Sequence, residues 1–357
     1  MKNFKFLIIL FVSALFFNCS DDDRDDNLEL SPVVIDLSLV PYQKLSDYKF
    51  FKGELKNQEP SYGVLPYEPA SQLFTDYAKK KRFIWMPAGQ KMTYNGDHKV
   101  FNFPNKSVLI KNFYYETMTS GNAKQILETR VMIFKNGEWI FAEYQWNEEQ
   151  TEAFLITEGA FKDISFTHNG QVISTTYRLP HNTECFICHK SDSKSKPIAP
   201  KPQNLNFTYN YADGPKNQLT KLIEFGYLEN NMPPNISSTI DYRDTTKSLE
   251  MRVRSYLDIN CGHCHIALGD CDYRTNLRLS FHETANIEKM GVCVTPDEEI
   301  PGQTKVIFPG RPERSVMYFR MNSIQQNEMM PKIGRTIVHQ EGLQLIEQYI
   351  LTLNPCP

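Results

Sequence analysis

Two five-residue runs in this chain combine thiols with imidazoles: Cys185-Phe186-Ile187-Cys188-His189 and Cys261-Gly262-His263-Cys264-His265. In a C-x-x-C-H run the thiols can add across the two vinyl groups of a porphyrin, and the following imidazole then lies under the iron. A single helical turn carries all three groups to one small disc. The spacing therefore predicts two covalently bound haem c groups, attached at Cys185, Cys188, Cys261 and Cys264, with His189 and His265 as proximal iron ligands. A zinc site or two disulfides is the competing chemistry for the same thiols. Both runs end in His, which an all-cysteine zinc site does not require, and neither lies in a thioredoxin-like β-α-β context. His263 stands at an x position beside His265 and is expected to stay off the iron.

Sixth ligands are sought on loops after each motif. Asn231-Met232-Pro233 follows the first and Met329-Met330-Pro331 the second. Proline holds the preceding residue extended, which suits a loop that presents one side chain to a metal, and a methionine sulfur favours ferrous iron. Met232 and Met330 are the candidates, with Met329, His339 and His282 as competitors and simple core packing as the plain alternative. Arg178, Lys190, Arg252, Arg254 and Arg335 could include partners for haem propionates. Trp146 to Thr151 reads either as a polar cluster beside the first haem, its paired carboxylates able to move protons, or as a surface strand end and turn.

The elements that must hold these groups change character along the chain. From about Ser31 to Pro180 the pattern is one of short alternating strands. Ile126 to Phe134 and Trp139 to Trp146 flank Asn136-Gly137, and Ile164 to Phe166 and Val172 to Tyr177 flank Asn169-Gly170. Both are hairpin signals, because an Asn-Gly pair accepts the positive φ angles of a type I′ turn. From His181 onward apolar residues recur at helical spacing: Leu219, Leu222, Ile223 and Leu228; Leu249, Val253, Tyr256 and Leu257; and Leu343, Ile346, Ile350 and Leu353. The expected class is α+β, a β-rich sandwich or jelly-roll-like domain followed by mostly α-helical, cytochrome c-like haem segments. Its expected parts are a signal over 1–18, an acidic tether over 19–40, a β-rich domain over 41–180, a first haem segment over 181–245 and a second haem domain over 246–357.

The beginning of the chain points to export. Lys2 and Lys5 precede an apolar stretch from Phe6 to Phe17 and then Cys19, the layout of a secretory signal ending at a cysteine. Cys19 is the expected lipid attachment site, and the acidic run Asp21 to Asp26 the start of a solvated tether. The formal net charge of −3 offers no basic field for nucleic acid. Export also removes the cysteines from the reducing cytosol. Beyond Cys19 and the haem cysteines, Cys271, Cys293 and Cys356 remain, so at least one is unpaired within the chain. Cys293 with Cys356 is the preferred disulfide, the other two pairings staying open.

The stretch from Leu249 to Leu353 resembles a small class I cytochrome c domain, with an entry helix, a C-x-x-C-H, a Met-Pro loop and a closing helix. Gly63 to Tyr67, Leu73 to Tyr77, Glu128 to Arg130, Trp146 to Thr151, Tyr256 to His265 and Met330 to Arg335 are similar to an uncharacterised family of exported bacterial dihaem proteins. The resemblance implies two haems and export, and makes a parallel β-helix protein a conceivable partner. The expected function is electron transfer with other redox proteins at the cell envelope, from a lipid anchor on the periplasmic or cell-surface face of the outer membrane. The alternative is a haem oxidoreductase in which the first haem is an open catalytic site and the second relays electrons.

Overall fold

Strand-forming residues dominate between Leu65 and Leu179, and the computed structural model, which describes residues 30–119 and 124–357, folds them into an antiparallel meander. In order, β1 (Leu65–Tyr67), β2 (Lys79–Trp85), β3 (Val108–Tyr115), β4 (Gln125–Lys135), β5 (Glu138–Trp146) and β6 (Ala153–Ile156) form one six-stranded sheet. A separate hairpin pairs β7 (Ala160–His168) with β8 (Gln171–Leu179). Both Asn-Gly turns form as their chemistry requires. Asn136 and Gly137 have φ of 52° and 90°, and Asn169 and Gly170 have 48° and 77°.

Alternation along the strands gives the sheet two different faces. Phe83, Trp85, Val108, Ile110, Val131, Ile133, Ala142 and Tyr144 turn to one side and form a core with Leu45, Tyr48 and Phe50. Val33, Ile35 and Leu37 also pack there, so packing begins inside the span expected to be tether. The other face is banded by strand register. Leu65, Ile84, Leu109, Met132 and Phe141 make one cross-strand row. It belongs to a second core closed by Leu205, Leu219, Leu222 and Leu228. The next row reads Tyr67, Arg82, Lys111, Arg130 and Glu143. Beyond it Phe113 packs with Ile164, Phe166 and Tyr177 from the β7–β8 hairpin. A charged belt thus crosses this face, with Lys80 and Glu128 beside Phe113 in the row beyond it.

After Pro180 the helices are α1 (Cys185–Cys188), α2 (Pro202–Leu205), α3 (Gln218–Glu224), α4 (Leu249–Asn260), α5 (Val316–Asn322) and α6 (Gln340–Thr352). The expected mostly α-helical, cytochrome c-like part is not formed. Among the described residues as a whole, strand makes up 27% and helix 19%, and only the β-rich N-terminal part agrees with expectation. The periodic stretches are real but short. Helix α3 ends at Glu224, two residues before Gly226, whose φ of 82° breaks the spiral. Between Cys261 and Ser315 the backbone is satisfied by turns and single crossings such as Arg278 N–H to Lys289 O and Cys293 N–H to Ile307 O. Nor does the β part close into a jelly roll, since its strands follow one another in sequence order.

Residues Ser31–Pro357 form one compact unit. Helices α4 and α6 meet in a third core, Val253, Tyr256 and Leu257 packing with Leu343, Ile346 and Ile350. Gly342 lies at the contact, where a Cβ would overlap the Tyr256 hydroxyl. The apolar signal stretch and Cys19 lie outside the described residues. Among the described residues no helix is long and apolar enough to cross a membrane.

Candidate functional site

The first C-x-x-C-H run hangs directly from β8. His181 caps the turn that follows: its Nδ1 accepts from the Thr183 N–H at 3.1 Å, and the Glu184 carboxylate accepts from the His181 N–H at 2.9 Å. This places Cys185, Cys188 and His189 within one helical turn. The next residues return as a tight strand pair, so that His189 and Lys196 are joined twice. The Lys196 N–H donates to the His189 carbonyl at 2.8 Å, and the His189 ring Nδ1–H donates to the Lys196 carbonyl at 2.9 Å. A carbonyl can only accept, so the second bond sets the tautomer and leaves the Nε2 lone pair free. Desolvation lowers the His189 pKa to about 3, keeping the ring neutral. Burial raises the Cys185 thiol to about 11.

The second run ends α4, whose N-terminus is capped by Ser248 Oγ accepting from the Met251 N–H at 3.3 Å. At Gly262 a Cβ would lie 2.8 Å from the Asp258 carbonyl oxygen and 3.0 Å from that of Leu279. Only glycine lets the chain turn so tightly against its neighbour. The Cys264 and His265 amides both donate to the Cys261 carbonyl, at 3.1 and 3.0 Å, and the Leu279 amide donates to His265 O at 2.9 Å. Burial lowers the His265 pKa to about 4 and raises the Cys261 thiol to about 12.

Folding brings the two runs together. Ligand atoms of Cys188, His263 and Cys264 lie within 4.8 Å of one another, and the Cys264 thiol reaches the Ile187 carbonyl at 3.5 Å. The Cys188 thiol is held well below the usual range by its contact with the Cys264 thiol and then by His263. Cys271 is lowered by the same Cys264 thiol, which is itself raised. Buried Asp258 ties the two neighbourhoods: it accepts from Lys201 Nζ at 3.3 Å, Gln203 Nε2 at 3.2 Å and the Phe281 amide at 3.0 Å.

A cleft opens between the first motif and the banded sheet face. Cys185, Cys188, His189 and His263 line it with Met132, Phe141 and the Pro197-Ile198-Ala199-Pro200 segment, and Pro331, Ile333 and Gly334 close another side. The space between the walls, open mouths included, is about 1360 Å³. Phe141 is 5.3 Å from the His189 ring, centroid to centroid. The charged belt forms the floor. Arg130 pairs with buried Glu128 through Nε at 2.9 Å and Nη2 at 2.7 Å, and the Tyr177 hydroxyl donates to the same carboxylate at 2.6 Å. Glu143, 2% exposed, is raised to about 10 by burial and by Glu128, and so keeps its proton at neutral pH.

Other sequence candidates have plain structural roles. Met232 packs on the second core and is not among the cleft residues. Met330 is half-buried, its amide donating to Arg320 O at 2.9 Å, and it is Pro331 that reaches the cleft wall. Met329 is buried nearby. His339 is a core histidine, stacked on Phe74 and bonded to the Tyr256 hydroxyl at 3.0 Å, while His282 stacks on His98. Of the five proposed propionate partners only Arg178 lines the cleft, and it pairs with Glu184. Arg335 spends its guanidinium on the carbonyls of Met330, Ile337, Arg320 and Ser323, and Arg252 and Arg254 bond the Tyr242 and Phe281 carbonyls. Lys190 opens the short strand pair after the motif and does not line the cleft. Trp146 to Thr151 forms a turn braced by Asn147 and Gln150. Cys293 and Cys356 form a disulfide, and Cys271 is free. Arg82, Lys111, Arg130 and Glu143 escaped sequence reading, although cations at inward positions of neighbouring strands were a visible signal.

Among known proteins, no family, no curated protein and no solved structure matches this chain.

Proposed function

We propose that the chain is an exported electron-transfer protein holding two haem c groups, attached at Cys185 and Cys188 and at Cys261 and Cys264, with His189 and His265 on the irons. The carrying observation is His189, whose Nδ1–H is committed to the Lys196 carbonyl at 2.9 Å and whose Nε2 is left free beside two thiols in a mostly apolar cleft. The donor set fits the group: paired thiols, a neutral imidazole of set tautomer, apolar walls and cations for carboxylates. When bound, haem supplies one-electron chemistry. Ligand atoms of Cys188 and Cys264 lie within 4.8 Å of one another, so the two expected attachment sites are neighbours. Met132 and His263 also line the cleft and would offer a thioether and a second imidazole to the first site, where sequence pointed to Met232.

A lipid anchor at Cys19 would fix the protein at the outer membrane, where its redox partners would be met. One observation favours a second reading, a haem oxidoreductase. Glu143 offers a buried, protonated carboxyl on the cleft wall near Cys185, as a proton donor would.

The test is a pyridine haemochrome count with absorption and EPR spectra of the protein from an exporting, haem-maturing host. Two low-spin haems per chain support electron transfer, and a high-spin centre that binds carbon monoxide supports the oxidoreductase. A haem-free chain with bound zinc would overturn both and assign Cys188, His263, Cys264 and Cys271 to a metal site instead.

A further inference from the structure

The belt on the sheet carries more basic side chains than the protein pairs with carboxylates. Strand register sets Arg82 opposite Lys111 and Lys111 opposite Arg130 on one face. Directly opposed cross-strand residues lie about 5 Å apart, and like charges there are destabilising. Arg130 is satisfied by its two bonds to Glu128. The other two basic groups are not. Among the described residues no carboxylate oxygen lies within 4.0 Å of Arg82 or Lys111. Arg82 is 4% exposed, lines the cleft and has no partner for its Nη1. Lys111 lines the same cleft, its Nζ resting 4.6 Å from the centre of the Phe113 ring; burial, with Arg82 and Arg130 beside it, holds its pKa well below the usual lysine range, so an anion is needed to keep it charged. Glu143, at the end of the row, does not compensate, because it holds its proton.

A buried guanidinium without a partner costs stability unless an anion meets it. Its planar fork suits the two oxygens of a carboxylate, and a neighbouring ammonium adds a second donor. We propose that Arg82 and Lys111 form a carboxylate receptor on the cleft floor. Resting on the haem reading, its occupants are the propionates of the haem held at Cys185 and Cys188. A diffusible small carboxylate is the other source of the same chemistry.

The test compares wild type with Arg82→Gln, Arg82→Lys and Lys111→Gln in the full matured protein. Two readouts are used, the midpoint potential of each haem and calorimetric titration with succinate. If propionates fill the receptor, wild type gives no saturable succinate binding. Arg82→Gln then lowers the potential of one haem, since a lost cation favours ferric iron, and Arg82→Lys restores much of it. If the receptor serves a diffusible carboxylate, wild type binds succinate saturably, Arg82→Gln weakens it about tenfold, and the potentials hold. Unchanged potentials and succinate titrations in both glutamine variants, with native circular dichroism, would overturn the receptor. Should Arg82→Gln not fold, Lys111→Gln at its half-buried position carries the comparison. A protein without haem defeats the haem reading alone, and the succinate titration still decides the receptor.

Discussion

At the scale of single residues, the cleft separates groups that belong to chemistry from groups that belong to packing. Met232 sits in the second core and His263 on the cleft wall. On the proposed haem reading, Met232→Ala is expected to leave the absorption spectrum unchanged at a modest cost in stability, whereas His263→Ala or Met132→Ala should shift the spin state of one centre. The reverse result would return the ligand role to Met232. Glu143 makes a second case. Its pKa is raised to about 10 from an ordinary 4.5, so between those values the native state keeps a proton that the unfolded chain has lost. Stability must then fall as pH rises through that window. Glu143→Gln removes the ionisable group while keeping its shape. The variant should melt about 2–4 °C above wild type at pH 8, with a smaller gap at pH 5, in thermal scans followed by circular dichroism. Equal gaps at the two pH values would mean that Glu143 is ionised in the native protein.

At the scale of elements, the two motifs depend on a shared brace rather than on separate scaffolds. Lys201 directly follows the Pro197 to Pro200 segment that lines the cleft, and Asp258 lies in the last turn of α4, one turn before Cys261. Their pair is almost wholly buried, with side chains 10% and 1% exposed. Removing one member of such a pair leaves a buried charge alone, so Asp258→Ala should cost about 3–5 kcal/mol in denaturant unfolding. Lys201→Met together with Asp258→Leu should recover most of that loss. A double variant no better than the single one would show that the hydrogen bonds from Gln203 and the Phe281 amide matter more than the charge pair. The glycine at 262 belongs here too: Gly262→Ala forces a methyl against two carbonyls and should cost about 1–3 kcal/mol.

At the scale of the whole molecule, the long turn-rich segment after the second motif is tied to the C-terminus by Cys293 and Cys356, 63 residues apart. Cross-linking a loop of that length restricts the unfolded chain, so Cys293→Ser should cost about 2–4 kcal/mol. Reductant should then lower the melting temperature of wild type and not of the variant. Several features of the protein were legible in its residues alone. The Asn-Gly turns specified two hairpins because few other pairs accept two positive φ angles, and the spacing of Leu343, Ile346 and Ile350 marked α6 to within a residue of its end. The C-x-x-C-H runs marked where thiols and imidazole would cluster, since groups three and four residues apart share a surface in any helical turn. The helical haem domain was misjudged for a related reason: short apolar periods show that a helix can form, not how much of the chain between them will join it. Only the tertiary structure decided that Cys188 and Cys264 lie side by side, that Met232 belongs to a core, and that three basic side chains share one row of a sheet. Each depends on strand register or on contacts between residues far apart in sequence, and local periodicity carries no information about either.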